Sequence, residues 1–190
     1  MRVAGHCDHE CAYESGEKWI QVKFESTISG ASAVAKELSV TGDCPLCQVA
    51  VVVSRYNQSI TRKLLAGALD TLVAGGIAKD AIDVVWVPGA WEIPVVAQRL
   101  CQSGRYAALL TLGAVIRGET THDQHINHQV SSSLGSIALD TGTPVLFGIL
   151  TCNSLEQAIH RSGGQVGNKG IECAEAALEM IKIFSQLPDQ

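Results

Sequence analysis

Four polar or aromatic stretches, each directly after an apolar run, hold the residues that could do chemistry in this sequence. They are Ser54-Arg55-Tyr56-Asn57, Pro88-Gly89-Ala90-Trp91-Glu92, Arg117-Gly118-Glu119-Thr120-Thr121-His122 and Thr151-Cys152-Asn153. The third stretch offers a glycine, hydroxyl groups, successive backbone N–H groups and an imidazole. Such groups can hold an anion and transfer protons near neutral pH.

The side chains of the first two stretches suggest a class of ligand. The flat rings of Tyr56 and Trp91 could stack on a heteroaromatic ring. Asn57 and Glu92 could hydrogen-bond a polyol or a ring amide. A small polar molecule with an aromatic ring is therefore the expected ligand.

The third stretch suggests that the ligand also carries a phosphate. The backbone of residues 118–121 could hold the phosphate, with Arg161 as its cation. The chain has no Gly-x-Gly-x-x-Gly after its first strong strand and no Gly-x4-Gly-Lys-Ser/Thr. Dinucleotide-binding and P-loop functions are therefore disfavoured.

Strands and helices that alternate along the chain would position these stretches. The predicted strands are Val49–Val53, Ile82–Val87, Ala107–Ile116 and Pro144–Leu150, each expected to be buried, and the predicted helices are Ile60–Ala74, Ile93–Cys101, about His125–Leu139, a short helix from Asn153 or Ser154 to Arg161, and Lys169–Phe184. This alternation predicts a single three-layer α/β/α domain over residues 35–190, with a four-stranded, mainly parallel sheet. Ligands of such sheets bind beyond the carboxyl ends of the strands, where all four stretches converge.

The N-terminal part of the chain has a different character. Residues 1–34 are polar and lack periodicity, which predicts an extension that is flexible in an isolated subunit. Val34–Val40 could form an edge strand that joins a neighbouring subunit. A glycine-rich break at Ser162–Asn168 precedes the last helix.

Composition excludes several classes of protein. Of the 190 residues, 46% are hydrophobic and 17% charged, which is typical of a globular protein with a large core. The net charge of −5 disfavours nucleic-acid binding, which needs a basic surface. No apolar run is long enough to span a bilayer, and residues 1–11 do not resemble a secretory signal. The expected location is cytoplasmic, without membrane contact.

The cysteines and two further histidines leave a metal site open but disfavoured. Cys44-Pro45-Leu46-Cys47 has zinc-like spacing, and Cys7 and Cys11 could complete a site, but a linker-like stretch separates the two pairs. Free thiols are therefore preferred to structural zinc, and the motif precedes a strand, which disfavours a thioredoxin-like role. His125 and His128 lack a third ligand, so they are interpreted as solvated helix residues. The prediction is no metal.

Five motifs in the chain together resemble a known family, 6,7-dimethyl-8-ribityllumazine synthase. The motifs are Ser54-Arg55-Tyr56-Asn57, Val87-Pro88-Gly89-Ala90-Trp91-Glu92-Ile93-Pro94, Gly113-Ala114-Val115-Ile116-Arg117-Gly118-Glu119-Thr120-Thr121-His122, Pro144-Val145-Leu146-Phe147-Gly148 and Gly167-Asn168-Lys169-Gly170. They occur in the family's order and spacing from about Val49 to Phe184.

The resemblance implies a fold, a reaction and an assembly. The fold would be flavodoxin-like. The reaction would join 5-amino-6-(ribitylamino)uracil to 3,4-dihydroxy-2-butanone 4-phosphate, giving 6,7-dimethyl-8-ribityllumazine, phosphate and water, without a cofactor. The family forms pentamers, and in some members twelve pentamers build an icosahedral shell of 60 subunits that can enclose riboflavin synthase. The sequence leaves open whether five or sixty subunits assemble.

The resemblance also assigns roles to individual residues. His122 would donate and accept protons, and the backbone of Glu119 and Thr120 with the Arg161 side chain would bind phosphate. The residues implied at the pyrimidine and ribityl chain are Tyr56, Asn57, Ala90, Trp91, Glu92, Ala114, Val115, Ile116, Phe147 and Lys169. Phe147 and Arg161 would reach the site from a neighbouring subunit.

The chain departs from the family pattern at two places near the site. After the histidine the family usually has an aromatic residue and then an acid, where this chain has Asp123 and Gln124. Asp123, one position early, could replace that acid in orienting His122. The glycine-rich break often carries a lysine where this chain has Gln165.

Two other functions remain as alternatives to the synthase. One is a non-catalytic shell-forming or flavin-binding protein on the same fold. The other is a flavodoxin-like nucleotide module with unrelated chemistry. The presence of His122, Arg161 and Lys169 together favours catalysis, because a shell needs none of them.

Overall fold

The structure is a computed structural model that describes Leu38, Val40 and residues 42–188. Its elements are β1 (Gln48–Ser54), α1 (Gln58–Ala74), β2 (Ile82–Val87), α2 (Ile93–Gln102), β3 (Tyr106–Ile116), α3 (His122–Thr141), β4 (Val145–Cys152), α4 (Leu155–His160), β5 (Ser162–Gly164), β6 (Gly167–Asn168) and α5 (Lys169–Phe184), with 3₁₀ turns at Lys79–Ala81 and Ala90–Glu92. The predicted extension lies outside the described residues. Of the predicted strand Val34–Val40, only Leu38 and Val40 are described, and neither belongs to a strand.

The four long strands form one parallel sheet in the order β2-β1-β3-β4. Helices α1 and α5 pack together on one face, and α2 and α3 cover the other. The predicted three-layer α/β/α arrangement with a flavodoxin-like strand order is therefore confirmed. None of the helices in the described part of the chain combines the length and apolarity of a membrane span.

Strand β1 shows why an uninterrupted valine run folds in this way. Val49, Val51 and Val53 face the layer formed by α1 and α5, and Ala50 and Val52 face α2 and α3. All five are fully buried. A strand covered on both faces has no solvent side, so polar alternation is absent from its sequence.

The structure corrects three details of the sequence prediction. Strand β2 was expected to be buried, but it lies at the edge of the sheet and is half-buried except at Val87. Helix α3 begins at His122 and not at His125, so the histidine belongs to the first helical turn. The glycine-rich break contains a small antiparallel hairpin formed by β5 and β6.

Helices α1 and α5 approach each other most closely where α5 begins. A Cβ atom on Gly170 would overlap the backbone carbonyl of Leu64, so only glycine fits at this contact. Asn168 fixes the same junction, since its Oδ1 accepts a hydrogen bond from the Gly170 N–H (2.8 Å) and its Nδ2 donates to the Lys63 carbonyl (2.9 Å). The motif Gly167-Asn168-Lys169-Gly170 thus sets the position of Lys169 against α1.

Candidate functional site

A cleft of about 430 Å³ lies beyond the carboxyl ends of β1, β2 and β3. Its wall is formed by Tyr56, Asn57, Gly89, Ala90, Trp91, Ala114, Val115, Ile116, Gly118, Thr120, His122, Asp123 and Ile126. The chain leaves β1 for β2 on one side and later enters β3 on the other, so the strand order reverses at this point. Parallel sheets open a crevice at such a reversal, which explains the place of the cleft.

The loop after β1 is held by the side chain of Asn57. Asn57 adopts the left-handed backbone conformation with φ of 58°, and its Nδ2 donates to the Ala114 carbonyl at 2.8 Å. Its own carbonyl accepts the first hydrogen bonds of α1. The predicted ligand-binding amide therefore also ties the end of β1 to the end of β3. Tyr56, beside it, has 73% of its surface exposed, which leaves its ring free to stack.

The loop after β2 presents the second aromatic ring. The Gly89 N–H donates to Oε2 of Glu92 at 2.8 Å, which closes the 3₁₀ turn that carries Ala90 and Trp91. Trp91 is 51% exposed and lines the cleft. The Glu92 carboxylate is outside the cleft wall, and its observed role is to hold the turn.

The third wall is the end of β3 and the start of α3. Ala114, Val115 and Ile116 line the cleft beside Asn57, which donates to the Ala114 carbonyl. The first turn of α3 has no side-chain cap from Thr121, and of its first three N–H groups only that of Gln124 has a backbone acceptor within the described residues, the Thr121 carbonyl at 3.1 Å. The N–H groups of His122 and Asp123 therefore remain available to an anion. Gly118 and Thr120 line the cleft before this turn.

His122 and Asp123 bring proton-carrying groups to this wall. His122 is exposed, and its side chain makes no hydrogen bond or ion pair within the described residues. Asp123 lines the same cleft, and its Oδ1 is buried without a partner in the described part of the chain. Because no bond joins the two side chains, the suggested orientation of His122 by Asp123 is absent from this structure.

A second charged cluster lies where α4 and α5 meet. Glu172 accepts from Nζ of Lys169 at 2.9 Å and forms an ion pair with Arg161, whose Nη2 lies 3.1 Å from Oε1. Burial alone would raise the pKa of Glu172, but the hydrogen bond and charge of Lys169 and the charge of Arg161 outweigh it and hold that pKa below its ordinary value. In the isolated chain, the single carboxylate of Glu172 therefore pairs with both cations and neutralises part of their charge.

The cleft brings together nine of the fourteen predicted site residues. They are Tyr56, Asn57, Ala90, Trp91, Ala114, Val115, Ile116, Thr120 and His122. The other five are outside its wall: Glu92, Glu119, Phe147, Arg161 and Lys169. Phe147 lies on the edge strand β4 and is 38% exposed on the face that α3 covers. That Phe147 and Arg161 act in a neighbouring subunit's site stays a prediction.

Besides Gly89, two wall residues were not predicted as ligand contacts, Asp123 and Ile126. They follow His122 by one and four positions. A helix that begins at His122 places all three on neighbouring parts of one face. The sequence therefore indicates that Asp123 and Ile126 line the cleft, but only if the helix is predicted to begin at His122.

The described cysteines test the prediction of free thiols only in part. Cys101, Cys152 and Cys173 are buried thiols. Cys44 and Cys47 are half-buried and share a hydrogen bond. Among the described residues no group of three or more histidine, cysteine, aspartate or glutamate side chains could hold a metal ion. Cys7 and Cys11 lie outside those residues, so the choice between zinc and free thiols stays open.

Comparison with protein families identifies one match. A family model described as 6,7-dimethyl-8-ribityllumazine synthase matches residues 47–185, which is most of the chain and includes every wall of the cleft. The chain therefore belongs to the lumazine synthase family, whose membership implies a transferase-type enzyme of riboflavin biosynthesis.

Proposed function

We propose that this member of the lumazine synthase family condenses 5-amino-6-(ribitylamino)uracil with 3,4-dihydroxy-2-butanone 4-phosphate to form 6,7-dimethyl-8-ribityllumazine, phosphate and water. The observation that supports it best is a cleft that combines two exposed aromatic rings, a helix N-terminus without a side-chain cap, and an imidazole that has no partner among the described residues. These are the groups that a heteroaromatic amine and a phosphorylated ketone would need.

The walls suggest where each substrate binds. The pyrimidine ring would stack on Tyr56 or Trp91 and meet the backbone of residues 114–116. The phosphate would bind the N–H groups between Gly118 and the first turn of α3. His122, in the same wall, would act where the amine meets the ketone.

Proton transfer and the positioning of the two substrates would supply most of the rate enhancement. Imine formation and ring closure each move protons, and a positioned acid–base group contributes roughly 10²–10⁴-fold. Departure of the phosphate develops negative charge, which backbone N–H groups stabilise without reorganising. Holding the two substrates together would supply much of the remainder.

The single chain leaves this site incomplete, and we propose that a neighbouring subunit completes it. No arginine or lysine lines the cleft within the described residues, although a phosphate needs a cation. Arg161, Lys169 and Phe147 are partly exposed elsewhere on the same chain. A closed ring of subunits, either a pentamer or twelve pentamers in a shell of 60, would bring these side chains to the next cleft.

An activity assay tests the reaction. The protein is incubated with both substrates, and the absorbance and fluorescence of the lumazine are followed. Product formation with saturation by each substrate is expected. If no product forms and flavin binds tightly, the chain is a flavin-binding or shell-forming protein and the enzyme proposal fails.

Mixing two inactive variants tests whether the site is shared. His122→Ala and Arg161→Ala subunits are unfolded, mixed in equal amounts and reassembled. If each site takes these residues from different subunits, about a quarter of the sites regain both, and activity returns to about that fraction of the wild-type value. A site built within one subunit would stay inactive in the mixture.

A further inference from the structure

Asp123 is the one carboxylate in the cleft wall among the described residues, and the proposed reaction so far gives it no role. It follows His122 directly in the first turn of α3. Its Oδ1 atom is buried yet has no hydrogen-bond partner in the part of the chain that the structure describes.

A buried carboxylate oxygen without a partner is costly and calls for an explanation. The partner is not His122, because no hydrogen bond joins the two side chains. Oδ1 is closed to solvent in the isolated chain, but its residue lines the open cleft, so rotation of the carboxylate about the Cβ–Cγ bond would bring an oxygen to a bound ligand. The unpaired Oδ1 and the place of Asp123 in the cleft wall together point to a contact with substrate.

The identity of the donor follows from the surrounding groups. Gly118 and Thr120 lie on the phosphate side of the cleft, and a carboxylate repels a phosphate. His122, the expected proton carrier, is the adjacent residue, so Asp123 lies near the reacting atoms. At that position the amine-bearing substrate offers N–H groups, which a carboxylate accepts strongly.

We propose that Asp123 binds the 5-amino group of the pyrimidine substrate by accepting a hydrogen bond from its N–H. This assignment rests on the proposed function and adds a residue that selects the nucleophile. It also gives the nitrogen a proton acceptor during attack. The nitrogen lone pair forms the C–N bond, and the carbonyl π electrons move to oxygen. One proton then passes from nitrogen to Asp123, while His122 supplies one to the oxygen, so the charge balances.

Binding measurements on two ligands and two proteins test the contact. The ligands are 5-amino-6-(ribitylamino)uracil, kept anaerobic, and its analogue with hydrogen in place of the 5-amino group. Each is titrated into the assembled wild-type protein and into Asp123→Asn by calorimetry, without the second substrate. Asp140→Asn, an exposed carboxylate at the far end of the same helix, is the matched control.

The wild-type protein should bind the amino ligand about 10-fold more tightly than the analogue, as expected for a hydrogen bond to a charged group. Asp123→Asn should lose about that factor for the amino ligand and change little for the analogue. The same variant should lower kcat, because its amide takes up no proton, whereas Asp140→Asn should match wild type.

The possible outcomes distinguish a failure of the Asp123 contact from a failure of the proposed reaction. Equal losses for both ligands, or no loss for either, would overturn the contact with the 5-amino group while leaving the synthase reaction intact. Failure of the wild-type protein to bind either pyrimidine would overturn the proposed function and the role of Asp123 with it.

Discussion

The close contact between α1 and α5 allows a prediction whose size can be worked from the structure. In Gly170→Ala, the new Cβ would overlap the Leu64 carbonyl and lie 2.7 Å from its carbonyl carbon. Carbon atoms prefer separations of about 3.5–4 Å, so α5 must retreat by roughly 1 Å. The obstacle is backbone, which cannot rotate away as a side chain can.

The expected loss of stability is about 2 kcal/mol. Overpacking typically costs roughly 1–3 kcal/mol, and the better helix propensity of alanine returns at most about 1 kcal/mol. For a domain of this size, a loss of about 2 kcal/mol lowers Tm by roughly 4–8 °C. Lys169 precedes the substituted residue, so its position should shift and activity should fall as well.

Gly135→Ala is the matched control, because Gly135 lies exposed within α3 and a Cβ there meets nothing within 4 Å. It should gain about 0.5–1 kcal/mol from helix propensity. Both variants are unfolded in urea and by heat at equal subunit concentration, with light scattering to verify the same assembly. A Gly170→Ala protein as stable as wild type would refute the close packing of these helices.

Three further predictions concern the site and the thiols. His122→Ala should lower kcat by roughly 10²-fold or more and change pyrimidine affinity by less than about 2-fold in calorimetry, because its imidazole moves protons and supports no described contact. Glu172→Gln should increase the affinity for inorganic phosphate several-fold in inhibition assays, since it frees Arg161 and Lys169 from an anion, and should change stability by less than about 1 kcal/mol. Burial, with a smaller effect of neighbouring Cys44, raises the pKa of Cys47 from 9.0 to about 11, so its alkylation by iodoacetamide at pH 8 should be about 100-fold slower than in urea-unfolded protein.

Each of these predictions has a result that contradicts it. A large loss of pyrimidine binding in His122→Ala would mean that the imidazole binds the substrate more than it moves protons. Unchanged phosphate affinity in Glu172→Gln would show that neither cation meets the phosphate. Equal alkylation rates for folded and unfolded Cys47, measured site by site by mass spectrometry, would mean that this segment does not pack on the core.

The parts of the fold that could be predicted are those with a strong apolar pattern. The valine run of β1 and the apolar face of α1 are unmistakable, and α5 was predicted with the bounds that the structure shows. The start of α3 was missed because its first apolar residue is Ile126, a full turn after the helix begins. The β5–β6 hairpin was missed because strands of three and two residues carry no periodicity.

The site was predictable to the extent that one chain forms it. Tyr56, Trp91 and His122 follow strands whose carboxyl ends meet, so their convergence is a property of the topology. The place of Asp123 in the cleft wall could be predicted only with the correct start of α3. The bond from Asn57 to the Ala114 carbonyl required three-dimensional contacts, since 57 positions separate these residues. The Lys169–Glu172 pair has the i,i+3 spacing of helix neighbours, so the sequence indicates it, whereas the Arg161–Glu172 pair joins separate elements and required three-dimensional contacts.

The outer edge of β2 has a consequence for a newly made chain. In the part of the chain that the structure describes, no strand pairs with this edge, and Ile82, Val84 and Trp86 beside it are only half-buried. Unpaired apolar edges recruit other strands indiscriminately and promote aggregation. A folded subunit that has not met its partners is therefore at risk of precipitation. The yield of this protein in a cell should depend on how quickly subunits find one another after synthesis, as much as on how stably each one folds.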